Sequence, residues 1–204
     1  MTMTCLSEQY AVSNNTREIA QWIVDNCVVL DTETTGLGEN DAVIELAAVR
    51  IRTGEVLVNT LINPEWLISP GAQKIHQIQL YELVDAPFFP DVWDQLQSEV
   101  GTFEFYTAFN LVFDERLIRQ TAFKSGATVM PFDRPGLICI MELANRHFAK
   151  DYAEWNEEKS CFRRLSLARC CEIAGVEFDG RAHRALADAK AAAELVKAIA
   201  EGVV

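Results

Sequence analysis

The sequence predicts an α/β domain in which a mixed sheet, a three-strand meander plus parallel strands, is covered by helices. Three observations predict it. The segment CVVLDTE (27–33) is apolar on both faces, as a central strand must be. Two further strand patterns follow at once, DAVIELAAVRI (41–51) and EVLVNTLIN (55–63), joined by Arg52-Thr53-Gly54 with the glycine a tight hairpin wants. Beyond residue 64, helix-like and strand-like patterns alternate.

Residues 1–15 are polar and weakly patterned, and TREIAQWIVDN (16–26) reads as a helix with Thr16 as its N-cap. Pro64 and Pro70 break regularity ahead of a short helix over 75–83, and FFPDVWDQLQSEVG (88–101) reads as a full helix ending at Gly101. EFYTAF (104–109) is a strand that runs into a helix beginning near Asn110; GLICI (136–140) is a short strand leading to helix MELANRHF (141–148). KDYAEWNEEKS (150–160) reads as a loop, and helices over 161–174 and 185–201 complete the pattern. No repeat or linker divides the chain, so one domain is expected over 26–201, preceded by an N-terminal extension over 1–25.

With 204 residues, 50% of them hydrophobic and 24% charged, the chain can bury a sizeable core, which excludes disorder, collagen and coiled coil. The net charge of -12, from 18 basic and 30 acidic side chains, argues against broad affinity for polyanions. The charge is uneven: residues 1–115 carry 4 basic and 18 acidic side chains, whereas 116–184 carry 12 and 9. No apolar stretch is long enough to span a bilayer and no leader pattern opens the chain, so the expectation is a cytoplasmic protein with no membrane contact. The six cysteines lack CxxC spacing and are expected to be reduced, packed thiols.

Several carboxylates sit where carboxylates are costly. Asp31 and Glu33, two apart at the end of the most apolar strand, share a face with Val29, where like charges repel and lose hydration. Asp114 heads the inward stripe Leu117, Ile118, Thr121, Ala122 of its helix, and Asp188 heads the stripe Ala192, Leu195, Ile199 of the last one. Four inward acids on separate elements, without sulfur, describe an oxygen-rich site for hard divalent ions, Mg²⁺ or Mn²⁺. Two such ions suit in-line phosphoryl displacement. His183, five residues before Asp188, cannot share a helical face with it, but from a loop it can reach the site as general base.

VVLDTETTGL (28–37), FNLVFDERLI (109–118) and HRALADAKAAAEL (183–195) resemble, in order and spacing, the three motifs of the DEDDh exonucleases, the group that includes the proofreading subunit of bacterial DNA polymerase III and ribonuclease T. The similarity runs from about residue 26 to 200, through KIHQI (74–78) and DAPFF (85–89). The resemblance implies a ribonuclease H-like fold and 3'-to-5' hydrolysis of DNA or RNA, at single-stranded 3' ends, to nucleoside 5'-monophosphates with two Mg²⁺ or Mn²⁺ ions. It carries the metal-binding carboxylates over to Asp31, Glu33, Asp114 and Asp188 and the base to His183. Thr34, Thr35, Gly36 and Leu37 match the segment that lies against the terminal nucleotide; His76 and Asn110 match positions of the family's substrate-side motifs. The chain departs from the family at Phe109, where histidine is common, and at Gln77, where glycine is common, which bears on substrate preference.

Two other roles follow from the same resemblance: a proofreading or end-binding subunit within a larger complex, and trimming of short RNA. A homodimer is compatible with it, and a polymerase partner is not favoured. Arg116, Arg119, Lys124, Arg163, Arg164, Arg169, Arg181 and Arg184 are candidates to track a phosphate backbone. Phe88, Phe89, Phe109 and Phe113 could stack on a base or pack in the core.

Overall fold

The computed structural model of the protein describes residues 15–100, 104–127 and 139–202. Helix α1 (Thr16–Asn26) is capped by Asn15, whose side chain accepts from the Arg17 backbone N–H, so the cap lies one residue before the threonine expected to supply it. Its inward residues Ile19, Ala20 and Ile23 are buried in the main core, which ties this helix, N-terminal to the expected boundary at residue 26, into the domain.

Strands β1 (Cys27–Thr34), β2 (Val43–Arg50) and β3 (Glu55–Leu61) form the expected antiparallel meander, and β4 (Phe105–Ala108) adds to β1 in parallel, giving the order β3-β2-β1-β4. Alternation along β1 and β2 divides the interior in two. Cys27, Val29, Ala47 and Val49 pack on one face of the sheet, against α1, α5 (Ile140–Tyr152), α6 (Leu167–Ala174) and α7 (Ala185–Glu201). Val28, Leu30, Leu46 and Ala48 pack on the other, against α3 (Phe89–Glu99) and α4 (Leu111–Ser125). Helix α7 lies in the thick of the first layer. Its seven buried alanines allow backbones to approach closely, and Leu195, Val196 and Ile199 fill the remaining space.

Several elements differ from the sequence reading, each for a local reason. Pro70 begins helix α2 (Pro70–His76) where a break was expected, because Ser69 caps it and proline is preorganised for the first helical position. The helix stops at Gln77, which takes a left-handed conformation (φ 60°), and a 3₁₀ turn covers Leu80–Leu83; the single helix expected over 75–83 is therefore two short pieces. The stretch expected as a loop over 150–160 holds the end of α5 and strand β5 (Trp155–Asn156) of a small hairpin with β6 (Cys161–Phe162). The helix expected from 161 starts at Leu167, where Ser166 caps it. Of the strand expected at GLICI, 136–138 lie outside the described residues, and Ile140 already belongs to α5. The end expected at Gly101 also lies outside them; α3 runs to Glu99. Cys27, Cys139, Cys161, Cys170 and Cys171 are free thiols, all but Cys161 buried.

Candidate active site

The same alternation that builds the two core layers aims the carboxylates. Continuing the parity of Cys27 and Val29, Asp31 and Glu33 point toward the layer of α7; continuing that of Val28 and Leu30, Thr32 points toward α4. Each side meets an acid. Asp188, on the first turn of α7, brings a carboxylate oxygen to Asp31 and Glu33, and the three oxygens lie within 4.8 Å of one another. Asp114, on the first turn of α4, is buried and accepts a hydrogen bond of 2.8 Å from the Thr32 hydroxyl. Four acids expected from the sequence thus converge on the end of β1, three in one cluster and Asp114 held beside them.

The convergence is electrostatically costly. Burial raises Asp31 well above the usual carboxylate range, and the charges of Asp114, Asp188, Glu33 and Glu45 raise it further. Burial, then Asp188, Glu45 and Asp114, pushes Glu33 up to about 8, against an opposing contribution from Arg184. Asp114 rises to about 7 by burial, opposed by the Thr32 hydroxyl; Asp188 also rises by burial, opposed by the His183 backbone N–H. A cluster of crowded, half-dehydrated carboxylates without thiolate or imidazole among its oxygens fits a hard divalent cation, whose charge would offset the repulsion.

This strain has a consequence for stability. Between the ordinary glutamate value of 4.5 and about 8, folded Glu33 keeps a proton that the unfolded chain has released. Its contribution to metal-free stability is therefore full below 4.5 and is lost as pH rises toward 8. Glu33→Gln removes the titration. Its gain in Tm over the wild-type chain, measured without metal, is expected to grow from pH 5.5 to pH 8; a gain that shrinks over that range contradicts this account.

His183 is exposed and precedes α7, as the five-residue spacing to Asp188 required. It adopts a left-handed φ of 62°, and its backbone N–H donates to Asp188 Oδ2 at 3.2 Å. Adjoining the carboxylates is a groove of about 380 Å³ lined by Thr32, Glu33, Thr34, Gly36, Leu37, Ser69, His76 and Phe113 among others. Leu37 projects from it, 75% exposed. The hydroxyls of Thr34 and Thr35 turn inward instead. Thr34 donates to the Gly36 carbonyl and Thr35 to Asp41, so both shape the loop. His76 is buried beneath, its Nδ1 accepting from the Ile78 N–H, and burial lowers its pKa. Asn110 is exposed at the N-cap of α4.

Gly36 is confined by Asp41. A Cβ there would lie 2.7 Å from both Asp41 carboxylate oxygens, which already bind the Thr35 hydroxyl and the Gly38 N–H. Gly36→Ala is expected to cost about 1–3 kcal/mol by overpacking. Gly71→Ala, which meets nothing within 4 Å, serves as the control in denaturant titrations of both variants.

Three contributors escaped the sequence reading. Thr32 could not have been found, since its role depends on what lies across the other face. Glu45 could have been: it is a lone acid in an apolar strand, as out of place there as Asp31 and Glu33 are in theirs. Asp41 carries no such signal. Among the basic candidates, Arg119, Arg163, Arg169 and Arg184 are paired with acids, Lys124 lies over the Trp66 ring, and Arg116 donates to the Leu37 and Gly38 carbonyls. Phe89 is core, Phe109 is packed against the α7 layer, and Phe113 lines the groove.

The model of a family described as exonuclease (RNase_T) matches residues 28–196. The chain belongs to the exonuclease family. This exonuclease is 30% identical over 185 residues to uncharacterized exonuclease CP81 of Escherichia phage 186, covering 89% of this chain and 92% of that one. Its structure resembles Exonuclease X in complex with 5' overhanging duplex DNA (TM-score 0.60, 27% identity, 86% of this chain and 92% of that one). It also resembles the nuclease domain of 3'hExo, a DEDDh family member, bound to rAMP (TM-score 0.65, 19% identity, 87% and 92%), a likeness that bears on the fold alone. The exonuclease thus has the ribonuclease H-like fold of the DEDDh group, and no helix among its described residues is long and apolar enough to cross a membrane.

Proposed function

We propose that this exonuclease removes nucleotides from the 3' end of a DNA strand, using Mg²⁺ or Mn²⁺, with His183 as the general base. The convergence of the Asp31, Glu33 and Asp188 oxygens within 4.8 Å at the edge of the groove carries this reading. Asp31, Glu33 and Asp188, with Asp114 beside them, would hold two divalent ions. Such ions supply Lewis acidity and neutralise charge at the scissile phosphate.

The remaining work falls to the chain. The loop Gly36–Leu37 and the groove wall at Phe113 receive the terminal nucleoside, and the groove volume lies in the ~300–1,000 Å³ range of small-ligand clefts. His183, from its exposed loop, accepts a proton from the attacking water. A phosphorus–oxygen bond forms to that water, the bond to the 3' oxygen breaks, and the 3' oxygen takes up a proton. The products are a nucleoside 5'-monophosphate and a shortened strand with a free 3' hydroxyl. The likeness to Exonuclease X with duplex DNA supports DNA over RNA.

The test uses 5'-labelled single strands of matched DNA and RNA, with free and blocked 3' ends, in Mg²⁺, Mn²⁺ or chelator. Expected is a ladder receding from the free 3' end of DNA, absent with chelator and with the blocked end. Faster shortening of RNA would reverse the substrate assignment. Absence of metal-dependent shortening, with retained binding of the strand end, would instead identify an end-binding subunit.

A further inference from the structure

We infer that Glu45 and Arg184 form a positioning pair that fixes the backbone of His183 over the carboxylate cluster. Glu45 stands directly opposite Glu33 in the antiparallel β1–β2 register and shares the face of Ala47 and Val49, the face covered by α7. A second acid against Glu33 is unfavourable by itself, since like charges directly across strands repel. Glu45 is nonetheless only 3% exposed.

Its partners explain its place. Arg184 donates through Nε to both carboxylate oxygens at 3.1 Å and through Nη2 to Oε1 at 2.7 Å, and the Ala185 N–H donates to Oε2 at 3.0 Å. With its oxygens engaged in this way, Glu45 is a clamp and not a fifth member of the acidic cluster. It reaches from the sheet to the start of α7, whose N-cap residue, Arg184, makes no side-chain capping bond of its own. The residue held between these bonds and the Asp188 bond is His183.

Residue 183 needs such restraint. Its φ of 62° is uncommon for a non-glycine residue and persists where surrounding contacts over-determine it. Its N–H is fixed by Asp188, and the next two residues are fixed by Glu45. The imidazole is exposed, so the backbone on either side sets where it points. Displacing a reacting group by about 1 Å can cost about 10²-fold in rate.

The inference rests on His183 being the base, and a double-mutant cycle separates the two. Turnover of a 5'-labelled DNA strand at saturating Mn²⁺ is measured for the wild-type chain, Arg184→Ala, His183→Ala and the combination. Arg184→Ala is expected to lower kcat by about 10-fold to 100-fold with KM within about threefold, and to add nothing in the His183→Ala chain. Equal losses in both backgrounds would assign the pair a general structural role and overturn the inference. If His183→Ala alone costs less than about threefold, the base assignment falls and takes the inference with it.

Arg184→Ala strands a buried carboxylate and can unfold the chain. The paired change Glu45→Gln with Arg184→Gln replaces the ion pair by a neutral contact, and its fold is checked by circular dichroism. A folded, metal-binding paired variant with the same non-additive loss in kcat supports the inference; wild-type kcat in it overturns the inference. Arg184→Lys, which keeps the charge but not the two-pronged contact, is expected to fall between the wild-type chain and Arg184→Ala.

Discussion

Asp31→Asn is expected to abolish turnover, by more than about 10³-fold, while raising the melting temperature of the metal-free protein. Loss of a residue that only supports a metal ligand costs about 10-fold to 100-fold, and Asp31 sits at the centre of the cluster, so its loss should exceed that. The gain in stability follows from the charges on Asp31: burial and four neighbouring acids all disfavour its ionised form, and asparagine keeps the shape without the charge. Activity assays and metal-free thermal melts of one variant therefore move in opposite directions. A variant that is both inactive and less stable without metal would mean that Asp31 supports the fold and not a cation. Retained turnover would remove it from the site.

His183→Ala is expected to lower kcat by about 10²-fold to 10⁴-fold, the usual worth of a positioned general base, with metal binding and folding intact. The side chain is exposed, and the bond that ties residue 183 to Asp188 comes from its backbone N–H, which alanine retains. Calorimetric titration with Mn²⁺ checks the binding, and single-turnover kinetics check the chemistry. Loss of metal affinity in this variant would recast His183 as a cation ligand. The net charge of -12 is compatible with this activity, because four of the 30 acids gather at the one place where cations would meet the substrate phosphate. Most of the basic side chains singled out for phosphate are engaged with acids, a ring or carbonyls, so under the proposed function binding would centre on the strand end.

Much of this was legible in the chain because two periodicities carry it. The apolar run of β1 announces a strand buried on both faces, and a period of two then places Asp31 and Glu33 together. A period of three to four places Asp114 at the head of Leu117, Ile118 and Thr121, all buried in α4 as expected. Local signals misled where one residue type serves opposite ends of a helix. Pro70 and Ser69 start α2, yet a proline between two patterns reads as a break. The hairpin at 155–162 is too short and polar for any period to declare it.

The sequence by itself determined which side chains are out of place in an apolar setting, and so which acids are candidates to hold a cation. It also determined that His183 lies ahead of the last helix and off the face of Asp188. Only the tertiary structure decided how those residues are divided: that Asp114 approaches from the α4 side through Thr32, that Asp188 completes the cluster from the α7 side, and that Glu45 is spent on Arg184. The physical reason is that alternation reports which face a side chain takes, whereas what covers that face is set by helices more than 60 residues away along the chain.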